Sequence, residues 1–170
     1  MNQVNTILRF SKAIAPSVKM CAIAFFSLFF VSISTAQFVP TEQSTKKVNA
    51  LINETFGADI LATPLEINSN YKLIEIEGEI KGYVCVEQAL SKHDKFEFVV
   101  IYDDQLNILQ VKVLLYREDY GYEIKSKRWL KQFSTRDVRK VQAISGATIS
   151  VNSLKKAVQH LNQKMNKFIL

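Results

Sequence analysis

Cysteine and histidine are scarce in this chain, two of each among 170 residues, and their scarcity excludes whole classes of chemistry. Cys21 lies inside an N-terminal apolar run, so Cys85 stands alone in the rest of the chain. One cysteine makes no intramolecular disulfide, and Cys85, set in an apolar strand pattern, reads as a small buried residue. His93 and His160 are far apart and give no metal-ligand spacing with a single Cys. His160 reads as solvent-facing. The order of residues supplies no Ser-His-Asp set. Asp103-Asp104 has no further ligand spacing after it that would suggest Ca²⁺, and reads as a turn. Internal repeats and low-complexity tracts are absent too. No residue is assigned a catalytic or metal-binding role.

Acidic residues are missing from the first 41 positions. Arg9, Lys12 and Lys19 lead instead into the apolar run Cys21–Ile33, which exits through Ser34-Thr35-Ala36-Gln37. This pattern predicts a signal peptide over residues 1–36, cleaved after Ala36. The run is shorter than the roughly 20 residues a spanning helix needs. A retained N-terminal membrane anchor is the alternative. Either way the chain is expected outside the cytoplasm, in a periplasm or at the outer face of the cytoplasmic membrane. No Leu-x-x-Cys pattern surrounds Cys21 to suggest a lipoprotein. Removal of residues 1–36 leaves 134 residues, enough for one self-sufficient core. It also takes away three basic residues. The remainder holds 19 Lys and Arg against 16 Asp and Glu, a net charge of +3. That balance does not predict a nucleic-acid groove.

Along the mature chain, residues 37–43 read as a flexible N-terminal segment and residues 44–170 as one domain. Val48, Leu51, Ile52, Thr55 and Phe56 predict a helix over 44–56, stopped by Gly57. Residues 58–70, with Pro64 and Asn68-Ser69-Asn70, read as a connector. Strands are expected over 71–76 and 80–86, joined by the Glu77-Gly78-Glu79 turn, then over 96–102 and 108–116. Their turn-length gaps predict a mostly antiparallel sheet. Residues 117–140 read as a loop-rich insert with a short helix over 126–133, carrying Trp129, Leu130 and Phe133 on one side. Val151, Leu154, Val158, Leu161 and Met165 form the apolar stripe of a final amphipathic helix, with Ser150 as its N-cap. Lys155 and Lys156 fall on its solvated face. The fold class is α+β: a mostly antiparallel sheet with an N-terminal helix and a C-terminal amphipathic helix.

The stretch Ser145-Gly146-Ala147-Thr148-Ile149-Ser150 opens that last helix. Small and hydroxyl residues at a helix start suit a phosphate, because the first N–H groups are unpaired and the dipole favours an anion. With VQAISGATISVNSLKKAV around it, the stretch resembles the end of the bacterial FMN-binding domain. That domain occurs in the flavin-carrying subunits of Na⁺-translocating NADH:quinone reductase and of the Rnf complex, and in small exported proteins. The resemblance spans about residues 71–160. It implies an α+β fold, FMN as cofactor and electron transport as function. It also implies a phosphoester (FMN phosphothreonine) at Thr148, made from FAD by a Mg²⁺-dependent flavin transferase. Ser145, Gly146, Ala147 and Ser150 fill the places around that threonine. Upstream, VKVLLYREDYGYEI resembles the family's strand and acidic Gly-containing loop beside the flavin, which places Glu118, Tyr120 and Gly121 near the cofactor. Tyr116, Tyr120, Tyr122 and Trp129 are candidates to line the flavin ring, with burial in the core as the other reading of each. The implied partners are the transferase and redox proteins at the membrane. The chain is then a redox carrier rather than a stand-alone catalyst. One position departs from the signature: Gln142 stands where the family has Asp. That leaves the covalent bond open, and a non-redox accessory module of the same fold as the alternative. The phosphate-ready helix start is unaffected.

Overall fold

The computed structural model describes residues 37–58, 60–135 and 137–169. The expected signal peptide or anchor at 1–36 lies outside them.

Helix α1 runs Glu42–Phe56, two residues earlier than its apolar face alone predicts. Thr41 is the N-cap, its hydroxyl accepting from the Ser44 N–H, and Glu42 complements the helix dipole in the first turn. The segment before the helix makes contacts with the sheet. The Phe38 carbonyl accepts from Asn70 Nδ2 at 2.5 Å, and the Thr41 N–H and hydroxyl both donate to Glu97 Oε2 at 3.2 Å. Gly57 ends the helix, as expected, with its N–H on the Asn53 carbonyl.

Five strands follow: β1 (Leu61–Leu65), β2 (Asn68–Ile76), β3 (Glu79–Leu90), β4 (Lys95–Asp103) and β5 (Ile108–Leu115). They pair antiparallel in sequence order, so β1 and β5 are the edges. Within the connector expected over 58–70, residues 61–65 are β1 and residues 68–70 begin β2. Pro64 hid β1, because proline argues against a central strand. On an edge it costs no ladder bond. Asn68 and Asn70, residues typical of turns, sit in β2, with Asn68 opposite Leu65 of that short edge.

Each strand sends alternate side chains to opposite faces. On one face, Val48, Leu51 and Ile52 of α1 pack over Ile74, Val84, Val86, Val99, Ile101 and Leu114. Full burial of each such side chain contributes about 1.5–3 kcal/mol. On the other face, Tyr71, Cys85, Phe98, Val100 and Tyr102 meet the insert and the last helix. The sheet is therefore covered on both sides. This explains why Phe98–Tyr102 of β4 are apolar at consecutive positions rather than alternate ones.

The insert contains two four-residue helices, α2 (Lys127–Leu130) and α3 (Gln132–Thr135), in place of one helix over 126–133. Tight 3-10 turns lie on either side, at Tyr122–Lys125 and Val138–Lys140. Helix α4 runs Thr148–Ile169 and buries Ser150, Val151, Leu154, Val158, Leu161 and Met165. Asn162 Oδ1 accepts from the Tyr102 hydroxyl at 2.7 Å, and Met165 Sδ lies 3.7 Å from Cys85 Sγ. Burial pushes the Cys85 thiol well above its ordinary pKa, so it is an unreactive core residue. His160 is exposed, as expected. No helix among the described residues is long and apolar enough to cross a membrane.

Candidate functional site

Helix α4 begins at a tight turn. The Ala147 N–H donates to the Ile144 carbonyl at 3.2 Å, and Gly146 sits at φ +84°, a value that suits glycine in the third position of such a turn. The Ala147 carbonyl accepts from the Val151 N–H at 2.9 Å. Ala147, not Ser150, therefore holds the cap position, and alanine has no side-chain acceptor to offer. The N–H groups of Thr148, Ile149 and Ser150 fall in the first turn, where helix geometry leaves donors without an intrahelical partner. No acidic residue occupies that turn. The helix start is thus open to an external anion. Thr148 is exposed there, and no hydrogen bond to another described residue engages its hydroxyl.

Ser150 faces inward. Its hydroxyl lies 2.9 Å from the Tyr116 hydroxyl, which donates to the Tyr120 carbonyl at 3.1 Å. A phenol has one proton, so Ser150 is the donor to Tyr116. This chain ties the helix start to the Tyr116–Gly121 loop at the end of β5. Gly121 closes the loop at φ +77°. A Cβ there would lie 3.0 Å from the Tyr116 hydroxyl and 3.2 Å from Ala147 Cβ. The backbone reaches Ala147 because residue 121 has no side chain.

Glu118 anchors a third segment, the β3–β4 turn. Its Oε1 accepts from Ser91 Oγ at 2.5 Å, the His93 N–H at 2.6 Å and the Asp94 N–H at 3.0 Å. The Ser91 hydroxyl and then the His93 N–H hold this carboxyl below its usual pKa. A surface ion pair with Arg117 does not form. Arg117 instead donates to the Lys95 carbonyl and reaches Asp94 and the buried Glu97.

These three segments enclose a cleft of about 500 Å³, within the 300–1,000 Å³ range of cofactor sites. Thr148, Gly146, Ala147, Ser150, Glu118 and Tyr120 line it, with Lys92, His93, Tyr116, Asp119 and Ile149. Ser145 and Gly121 do not line it. Ser145 shapes the turn before the helix, and Gly121 supports Ala147 from the side. Lys92 and His93 escaped sequence reasoning. A charged tetrad between two strands reads as a solvated turn, and nothing local shows that Glu118 draws it toward the helix start.

The aromatic candidates separate. Tyr120 lines the cleft and is 84% exposed, free to lie against a planar ring. Tyr116 is buried and forms the cleft wall. Tyr122 lies outside the cleft, edge-on to Tyr116 and beneath Lys125. Trp129 belongs to the core, packed edge-to-face on Phe133, with its N–H donated to the Gln142 carbonyl at 2.8 Å. The Gln142 N–H bonds Gln132 Oε1 at 3.1 Å. The backbone of Gln142 is thereby fixed, and the exposed residue is not part of the cleft lining.

A lysine and the first-turn N–H donors of α4 in one cleft lining suit a phosphate, and an exposed tyrosine suits a planar heterocycle. Among the described residues no cluster suits a metal ion. Residues 92–163 match the family described as FMN-binding domain. The match takes in β4, β5, the insert, the helix-start motif and most of α4, and starts at Lys92 itself. No curated protein matches the chain.

Proposed function

Given an FMN-binding domain over residues 92–163, we propose that the protein is an exported electron carrier that holds FMN in this cleft, with Thr148 as the attachment residue. The observation that carries this reading is the exposed Thr148 hydroxyl, set at an uncapped helix start inside the cleft. Thr148, Ile149 and Ser150 would hold the phosphate through backbone N–H groups, with Lys92 supplying positive charge. Tyr120 would cover the ring. Bound FMN supplies the redox chemistry, and the protein positions it.

Threonine is a weak nucleophile, and no base bonds Thr148 among the described residues. A separate flavin transferase therefore suits the covalent version. The basic, apolar N-terminal run ending at Ala36 supports export to the periplasm or the outer face of the membrane. Redox proteins at that membrane would then be the partners.

A second reading rests on Gln142. Its exposed side chain, outside the cleft lining, would alter recognition by a transferase while leaving reversible FMN binding intact. The test is mass spectrometry of the Thr148 peptide from protein produced with a flavin transferase, alongside flavin fluorescence of the native protein. The carrier reading expects one FMN on Thr148. Bound but extractable FMN selects the reversible version. Gln142→Asp would then raise the covalent fraction if residue 142 is the block. A protein that takes up no FMN at all ends both readings.

A further inference from the structure

A second concavity, of about 540 Å³, runs along the outer side of β5. Five consecutive residues, 109–113, line it. Side chains of a strand alternate between faces, so an unbroken run of lining residues marks a groove that follows the strand edge itself. Among the described residues β5 has no strand partner on that side. Its backbone is open to other donors: Lys47 Nζ already donates to the Leu114 carbonyl at 2.6 Å.

The walls are basic. Lys112, Lys125, Lys127 and Lys131 surround the groove, Glu54 is its one acid, and no described carboxylate pairs with any of the four lysines. Leu109, Val111, Val113 and Leu130 give it an apolar floor. The groove also approaches the FMN cleft. Lys125 Nζ lies 6.0 Å from the centroid of the Tyr116 ring, which walls the cleft.

We propose that this groove docks an extended acidic segment of a partner protein, which adds a sixth strand to β5. The partner's main chain would complete the open ladder, alternate apolar side chains would enter the floor, and carboxylates would meet the lysines. A concave, strand-length slot suits a polypeptide better than a flat bilayer. Residues 1–36 contain no acid and cannot supply the carboxylates. As a redox docking site the proposal rests on the FMN reading. As a peptide site it stands without it.

The probe is an eight-residue peptide alternating Glu and Val, the length of β5, labelled with rhodamine so that flavin does not interfere. Binding to the full chain is read by fluorescence polarisation with and without FMN. Wild type should bind, more weakly as salt rises. Reversal of three charges (K112E, K127E and K131E together) should weaken binding about tenfold or more, and the milder Lys→Gln triple should fall between. Circular dichroism confirms that both variants fold. Peptide N-methylated at alternate residues should not bind. Equal affinity for wild type and the charge-reversed chain, or for the N-methylated peptide, overturns the proposal. So does lysine-dependent binding of phosphatidylglycerol vesicles with no peptide binding, which would make this a membrane face. Self-association through the same lysines without peptide binding would overturn it as well, since the Glu75, Glu77 and Glu79 hairpin of a second copy would be the occupant. Peptide binding by a chain that takes up no FMN would keep the groove and remove only its redox role.

Discussion

Replacing Gly121 by alanine puts a methyl group between two parts of the site that now touch. The cost has two sources. The residue sits at φ +77°, where an L side chain costs about 1–2 kcal/mol. The new Cβ would also press on the Tyr116 hydroxyl at 3.0 Å and on Ala147 Cβ at 3.2 Å, and forcing such groups apart costs about 1–3 kcal/mol. The sum is about 2–5 kcal/mol. Gly146 provides the control. Its φ of +84° is similar, but a Cβ there would meet nothing within 4 Å. Gly146→Ala should therefore lose only the conformational part, about 1–2 kcal/mol. Urea unfolding monitored by circular dichroism gives both values, provided the m-values agree. FMN titration supplies the functional side: Gly121→Ala should weaken binding beyond Gly146→Ala, because it displaces Ala147 and Tyr116. Equal destabilisation by the two substitutions would refute the contact between the loop and the helix start.

Glu118 gives a pH signature. Its carboxyl is held below the usual value by Ser91 and His93. The folded pKa is depressed, so its contribution to stability is full above the unfolded carboxylate pKa of about 4.3 and is lost as pH falls through the folded value. Wild type should exceed Glu118→Gln in urea midpoint at pH 7, and the gap should close in acid. A gap independent of pH would show that the charge on Glu118 does not hold the β3–β4 turn. Glu97, 1% exposed, accepts from both the N–H and the hydroxyl of Thr41. Glu97→Ala strands the Thr41 N–H at the head of α1, while the hydroxyl keeps Ser44 Oγ at 3.1 Å, and should cost about 1–3 kcal/mol in the same unfolding assay. A loss under 0.5 kcal/mol, the scale of an ordinary surface change, would mean that water replaces the carboxylate.

Different parts of the molecule were legible in the sequence for different physical reasons. Thr148, Gly146 and Ala147 were readable because the helix start is one contiguous stretch. The α4 stripe was readable from its period, but its first residue was not. Ala147 caps with no side-chain acceptor, whereas Ser150, of the right chemical type for a cap, is a buried donor to Tyr116. Glu118 was recognised as close to the site, but its partners in the β3–β4 turn depend on tertiary contact 24–27 residues away. Lys92 and His93 went unseen for the same reason. Strand β1 was missed because proline marks a loop everywhere except on an edge, and edge position is decided by the whole sheet. The burial of Trp129 needed the Gln142 carbonyl, which no local pattern predicts.

The cleft's three walls come from the turn after β3, the loop after β5 and the head of α4. Ser91 meets Glu118 across 27 residues and Tyr116 meets Ser150 across 34. No single wall makes the cleft: the turn after β3, the loop after β5 and the head of α4 must come together before it exists. A ligand that needs all three walls binds the native state and ignores its precursors. At a free concentration 100 times its Kd, such a ligand stabilises the native chain by about 2.7 kcal/mol. Cofactor uptake thus records the assembly of the three walls, and a chain that has not yet brought them together is drawn toward its final form by the ligand that fills the cleft.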